Sequence, residues 1–360
     1  MPISDSRSAA CRILVGATAL AVVLAAVSLP VLDAAEAPPG PLEAPKLIEA
    51  ARRGWLRAGI VSGRVRFGAT RLGNMNDTAK AGGREERLSI SIGVQQFTAS
   101  YELSTSDQRL LVEIAGRDRL HVRRTPQGDA GWEPADFRQA PDEPLRVTLG
   151  PEAAGQVDER AVYEAPSLWH LLVMEPDVGR KHVVPLLEVL DPQWDLDRTA
   201  AQVESVLVRA AAEGDLPDPN RWAALVEQLG DARFARREAA DRELRSLGRV
   251  VYTYLRQLDA SRLDAEQHYR VRRIVMALAA RMDDDTPPEI ATWLAGDPAI
   301  WLALLARDDE TTRRLAAARL ETLLGGPIRF DPAADGKTRQ KQLEPLRARV
   351  RNRPEGPGRE

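Results

Sequence analysis

From Gly59 onward the apolar residues of this chain change from strand-like to helical spacing near Ala165, and that change limits the fold to a sheet followed by helices. Before it the period is two. Val65, Phe67 and Ala69 alternate with Arg64, Arg66 and Thr70, and Leu88, Ile90, Ile92 and Val94 alternate with Ser89, Ser91 and Gly93. Phe97, Ala99, Tyr101 and Leu103 follow, then Leu110, Val112 and Ile114, then Leu120 and Val122, then Leu145, Val147 and Leu149. Alternation of this kind predicts five or six antiparallel strands in a meander, with one dry face and one wet face. Leu47, Ile48, Ala51, Trp55 and Leu56 are spaced for one helix against that sheet. The polar stretch 73–77 and Ala81-Gly-Gly83 read as a long loop between the first two strands.

After Ala165 the spacing becomes helical. Ser167–Met174 predicts a helix that stops near Pro176, His182–Leu190 a second, and Asp195–Ala212 a third with Val203, Val206, Leu207 and Ala210 on one face. Asp218-Pro219 supplies a cap and a first-turn proline. The helix that follows buries Trp222, Leu225, Val226 and Leu229. Its partner starts at Asp231 and is expected to bury Phe234, Ala240, Leu244 and Leu247. Trp293 and Trp301 likewise fall at core positions. The fold class is therefore α+β, an N-terminal antiparallel sheet module with one helix and then an all-α region.

Parts of the all-α region repeat. The segments 271–278 and 312–320 align with 235–244, and the Arg-Arg pairs at 236, 272 and 313 recur after 36 and 41 residues. An aspartate precedes each pair, at Asp231, Asp264 and Asp309, and Leu-Gly ends a helix at 229–230, 247–248 and 324–325. Leu229-Gly-Asp-x-x-Phe-x-x-Arg-Glu-Ala-Ala-x-x-Glu-Leu-x-x-Leu-Gly248 resembles a HEAT repeat of the bilin-lyase-type HEAT-like group. The run from Leu324 to Pro332 is similar to repeat ends in exported HEAT-repeat proteins of planctomycete-type bacteria. The resemblance covers 217–326. It implies a HEAT-like solenoid of about four hairpins and a binding role, and it carries over no catalytic residue.

The N-terminus fixes the expected compartment. Arg7 and Arg12 precede an apolar run from Ile13 to Leu29, Pro30 breaks it, and small residues follow at Asp33–Ala37. This is the pattern of a secretory signal, with cleavage expected after Ala35 or Ala37. An uncleaved anchor is the alternative, because about 20 apolar residues span a bilayer. Either way the protein is expected to be exported, periplasmic or in the cell envelope. The expected organisation is a signal peptide or anchor at 1–36, a helix plus antiparallel sheet at 37–165, a helical region at 166–216, HEAT-like repeats at 217–326, and a C-terminal helix with a basic tail at 327–360. A helix followed by a curved antiparallel sheet in an exported bacterial protein also resembles, at the level of fold, the periplasmic lipoprotein carriers. That resemblance implies an apolar ligand on the concave face, near Phe67, Ile92 and Phe97.

Chemistry is harder to find. The net charge of −3 provides no field for nucleic acid, and the single cysteine, Cys11, lies in the segment expected to be removed. His170 and His182 flank Glu175 and Asp177 but fit no zinc spacing. Asp283-Asp284-Asp285 lacks the alternating ligands of a calcium loop and reads as a solvated turn. Glu238 and Glu243 beside the Arg-Arg pairs suggest salt bridges within one helix. No catalytic, cofactor-binding or metal-ligating residue is assigned, and no nucleic-acid partner is expected. The expected function is a non-catalytic scaffold or adaptor that binds a protein partner, with a lipid carrier as the alternative.

Overall fold

A computed structural model describes residues 44–351, except 95, 129–130, 151–159, 217, 257 and 280–284. The segment expected as a signal peptide or anchor, Asp283 and Asp284 lie outside the described residues. The molecule is mixed α+β, with sheets first and helices after them. Strands β1 (Arg57–Val61) and β2 (Arg64–Gly68) form a hairpin. Strands β3 (Gly73–Ala81), β4 (Arg84–Ile92), β5 (Phe97–Ser104), β6 (Gln108–Ala115), β7 (Arg119–Pro126), β8 (Ala135–Gln139), β9 (Leu145–Leu149) and β10 (Ala161–Ala165) form one eight-stranded antiparallel meander in chain order.

The meander has more strands than the alternation shows, because its edges and short members carry few apolar residues. The stretch expected as a loop is strand β3, paired along its whole length with β4 through a turn at Gly82 and Gly83. Both glycines have positive φ, 57° and 79°, which a tight hairpin turn requires. Residues of β3 are exposed or half-exposed, so no buried face marks the strand in the sequence.

Three helical segments cover the dry face rather than one. Helix α1 (Pro45–Arg52) lies on β4, α2 (Leu168–Met174) on β10 and α4 (Val184–Leu187) on β7. Between α2 and α4 run a short turn, α3 (Pro176–Val178), and one π-helical stretch, Gly179–Val183. The wide turn ends just before Pro185, which has no N–H to continue a regular ladder. A Cβ on Gly179 would lie 2.7 Å from Leu172, so the glycine lets this segment sit close to α2.

The remaining helices are α5 (Leu196–Glu213), α6 (Pro219–Gln228), α7 (Phe234–Ser246), α8 (Arg249–Arg256), α9 (Ala265–Ala279), α10 (Pro287–Leu294), α11 (Pro298–Leu304), α12 (Glu310–Leu324) and α13 (Gly336–Arg351). They divide between two cores. Trp222, Leu225, Val226, Leu229, Ala240 and Leu244 join Val251, Ile274 and Leu278 in a core of their own, made by α6–α9. Helices α10–α13 instead share the core of the sheet, α2 and α5, with Trp301 and Leu320 fully buried. Among the described residues no helix is long and apolar enough to cross a membrane.

Local chemistry explains the helix starts. Asp231 accepts from the N–H of Arg233 at 2.7 Å, Asp264 from Gln267 at 2.7 Å and Asp309 from Thr312 at 2.6 Å. Gln267 returns the bond by accepting from the Asp264 N–H at 2.9 Å, a capping box. Gly248 and Gly325 take the left-handed conformation after their helices. Gly230 does not. A Cβ there would sit 2.4 Å from Asp264 Oδ2, so its role is close approach between α6 and the start of α9.

Candidate interaction surface

Helices α7 and α9 pack side by side, and a seam of opposite charges joins them. Arg270, buried, donates to Glu238 at 2.8 Å and to Glu266 at 2.6 Å. Asp241, also buried, accepts from Arg245 and from Arg273, the latter at 3.3 Å. Glu238 therefore binds across helices, and Glu243 accepts from Arg221 of α6 at 2.6 Å. The salt bridges expected within one helix are bridges between helices. This follows from the stacking, which brings a neighbouring guanidinium closer than the i+4 position.

Around the seam the surface is apolar and cationic. Phe234, Tyr269 and Met276 are 64%, 61% and 64% exposed. The guanidinium of Arg237 lies 5.6 Å from the Phe234 ring, and that of Arg273 lies 5.9 Å from the Tyr269 ring. Phe234 was expected in the core. It opens α7, six residues before Ala240, the first buried residue of that helix. Tyr269 and Met276 are seven residues apart and lie off the Val271–Ile274–Leu278 stripe, a sequence signal that could have found them. Arg233, Arg242 and Arg272 are exposed, and their side chains have no hydrogen-bond or ion-pair partner among the described residues.

The paired arginines divide by role. Arg237 donates to the carbonyls of Asp231 and Ala232, and Arg313 donates to those of Arg307 and Asp308. Each guanidinium thus braces the loop before its own helix. Arg314 pairs with Glu310 at 2.7 Å, which leaves Arg272 as the pair member turned to solvent.

The histidines weighed from sequence do not come together. His170 is buried between Ser167 Oγ, 2.7 Å from its Nδ1, and Asp297, 3.2 Å from its Nε2. Ser167 caps α2 and Asp297 caps α11, so this row ties two helix starts. His182 instead faces Glu133 at 3.4 Å, and burial pushes its imidazole below the usual range. Burial likewise raises the Glu175 carboxyl. Asp285 is neither a solvated turn nor a cation ligand. Its carboxylate accepts from the N–H groups of Ser62 and Gly63 and from Trp169 Nε1 at 2.7 Å. No group of three or more metal-ligating side chains occurs among the described residues. Phe67 and Ile92 are buried, and Phe67 stacks on Phe97 at 6.5 Å, so side chains fill the place considered for an acyl chain.

Comparison with protein-family models, with curated proteins and with solved structures returns nothing that matches the chain.

Proposed function

We propose that this protein is a non-catalytic, exported scaffold or adaptor that holds a protein partner on the face made by α7 and α9. In this reading α6–α9 are HEAT-like hairpins, and export rests on the N-terminal basic and apolar pattern. One observation carries it. Of the six large hydrophobic side chains exposed among the described residues, Phe234, Tyr269 and Met276 lie on these two helices, the others being Leu72, Val94 and Val162. Exposed aromatics and methionine beside arginine are the composition of interface centres. The unpaired Arg233, Arg242 and Arg272 set the partner's chemistry, a polypeptide segment in which acidic residues flank apolar anchors. The non-catalytic reading is supported by His170 and His182, whose side chains meet Ser167 and Asp297 in one case and Glu133 in the other.

The test compares the full chain with a Phe234→Ala/Tyr269→Ala/Met276→Ala variant in co-purification from cell envelopes. The expected outcome is an acidic protein recovered with the native chain and lost with the variant at unchanged melting temperature. Equal recovery by both would contradict the reading.

A further inference from the structure

The wet face of the eight-stranded sheet carries a depression, separate from the α7–α9 surface. One row of cross-strand neighbours runs over it, through Asn76, Ser89, Ser100, Glu113, His121, Arg138, Arg146 and Glu164. The adjacent row holds Asn74, Ser91, Thr98, Ala115 and Arg119. A solvated strand face is normally covered by long or β-branched side chains. Here the middle strands β4, β5 and β6 present Ser89, Ser91, Thr98, Ser100 and Ala115, so the backbone lies low while longer side chains stand on both sides. The hollow measures about 410 Å³ and is lined by Ser89, Thr98, Ser100, Glu113, Arg119 and His121.

The lining is specific in what it offers. Three hydroxyls each donate and accept, as sugar hydroxyls do. His121 is clamped, with Nδ1 3.0 Å from Glu113 and Nε2 2.8 Å from Asp136, so it forms a fixed wall rather than a mobile one. Arg119 is exposed on the rim and has no hydrogen-bond or ion-pair partner among the described residues. A lone inorganic anion would leave most of the volume unused, since pockets of about 300 Å³ and above hold whole organic ligands. We propose that this depression binds an acidic saccharide, with the ligand carboxylate on Arg119 and its ring hydroxyls on Ser89, Thr98, Ser100 and Glu113. A planar guanidinium fork pairs with a carboxylate through two parallel bonds, which supplies the preference for an acidic sugar over a neutral one.

The test is calorimetric titration of the full chain with sodium glucuronate, glucose and inorganic phosphate. Glucuronate is expected to bind at least ~10-fold more tightly than glucose, the discrimination of a charge-assisted pair. Arg119→Gln should bring glucuronate down to the level of glucose. Ser100→Phe, whose ring would fill the floor, should remove both. Arg119 is exposed, so its variant keeps the fold and decides the matter even where Ser100→Phe does not fold. Equal binding of glucuronate and glucose, a preference that survives Arg119→Gln, or phosphate bound as tightly as glucuronate would each overturn the proposal.

Discussion

Asp285 joins parts of the chain more than 200 residues apart in sequence, since it accepts from Ser62 and Gly63, 223 and 222 positions away. Its own N–H donates to Ile60 at 3.0 Å, so backbone and side chain both grip the β1–β2 turn. Replacement by alanine strands the Ser62, Gly63 and Trp169 donors. Asp285→Ala is expected to lower stability by about 3 kcal/mol in urea denaturation, and a loss below about 1 kcal/mol would refute the latch. Arg124 presents the opposite case. It is buried, its Nη2 has no hydrogen-bond partner among the described residues, its side chain donates to neutral Gln108 and lies 4.5 Å from the Trp132 ring, and burial lowers its guanidinium to about 10. Arg124→Met should therefore cost no more than about 1 kcal/mol, because only a neutral acceptor and a ring contact are lost while the cost of burying the charge is relieved. His121 gives a pH signature. Its bond to Asp136 raises the imidazole above its usual 6.5, with Glu113 adding and Arg138 opposing. For Asp136 burial pushes upward, but His121 and Arg138 outweigh it and hold the carboxyl below its usual 3.8. A raised histidine stabilises below its unfolded value and loses that effect as pH rises through the folded one. A lowered carboxyl stabilises above its unfolded value and loses it on acidification. The contribution of the His121–Asp136 pair should thus be greatest in the weakly acidic range and fall as pH rises past the raised His121 value. His121→Gln should flatten the alkaline fall in urea melts between about pH 5 and pH 9.

Helices α7 and α9 depend on their seam. Arg270 is 7% exposed and meets Glu238, Glu266 and Asp241, so Arg270→Met leaves carboxylates facing apolar atoms. The expected loss is about 2 kcal/mol, because Glu238 and Glu266 reach water and the buried Asp241 keeps Arg245 and Arg273. Because α6–α9 have their own core, hydrogen exchange should quicken there while the amides of β5–β7 keep their protection. Uniform loss of protection across the molecule would contradict separate cores. The α6–α7 hairpin was also the most readable part of the sequence, whereas α8 has no counterpart in the expected helices. Trp222, Leu225, Val226 and Leu229 are buried as their spacing predicts. Strand β3 was unreadable for a physical reason, because an edge strand with both faces wet has no alternation to see. The surface positions were half-legible. Phe234 was assigned to the core from its place in the repeat pattern, whereas Tyr269 and Met276 carried a period-seven signal. The wet-face row from Ser89 to Arg146 was invisible, since polar alternation looks alike on a bare face and on a binding one.

The whole chain places a sheet, a shared core and a small separate core in series. Helix α10 packs on both α5 and α8, so it joins the α6–α9 helices to the larger core. The α13 helix, expected from sequence as a C-terminal helix with a basic tail, is seated by Leu343 and Leu346, and its Arg349 donates to the carbonyls of Leu324 and Pro327. Exposed aromatic and methionine side chains lie beside arginines on α7 and α9. The most direct measurement is site-specific photo-crosslinking in intact cells, with the crosslinker at Tyr269 or at Arg242 and a control at exposed Arg209 of α5. The account expects one shared acidic partner from positions 269 and 242 and none from 209. Adducts equal at all three positions, or absent from 269 and 242, would contradict it.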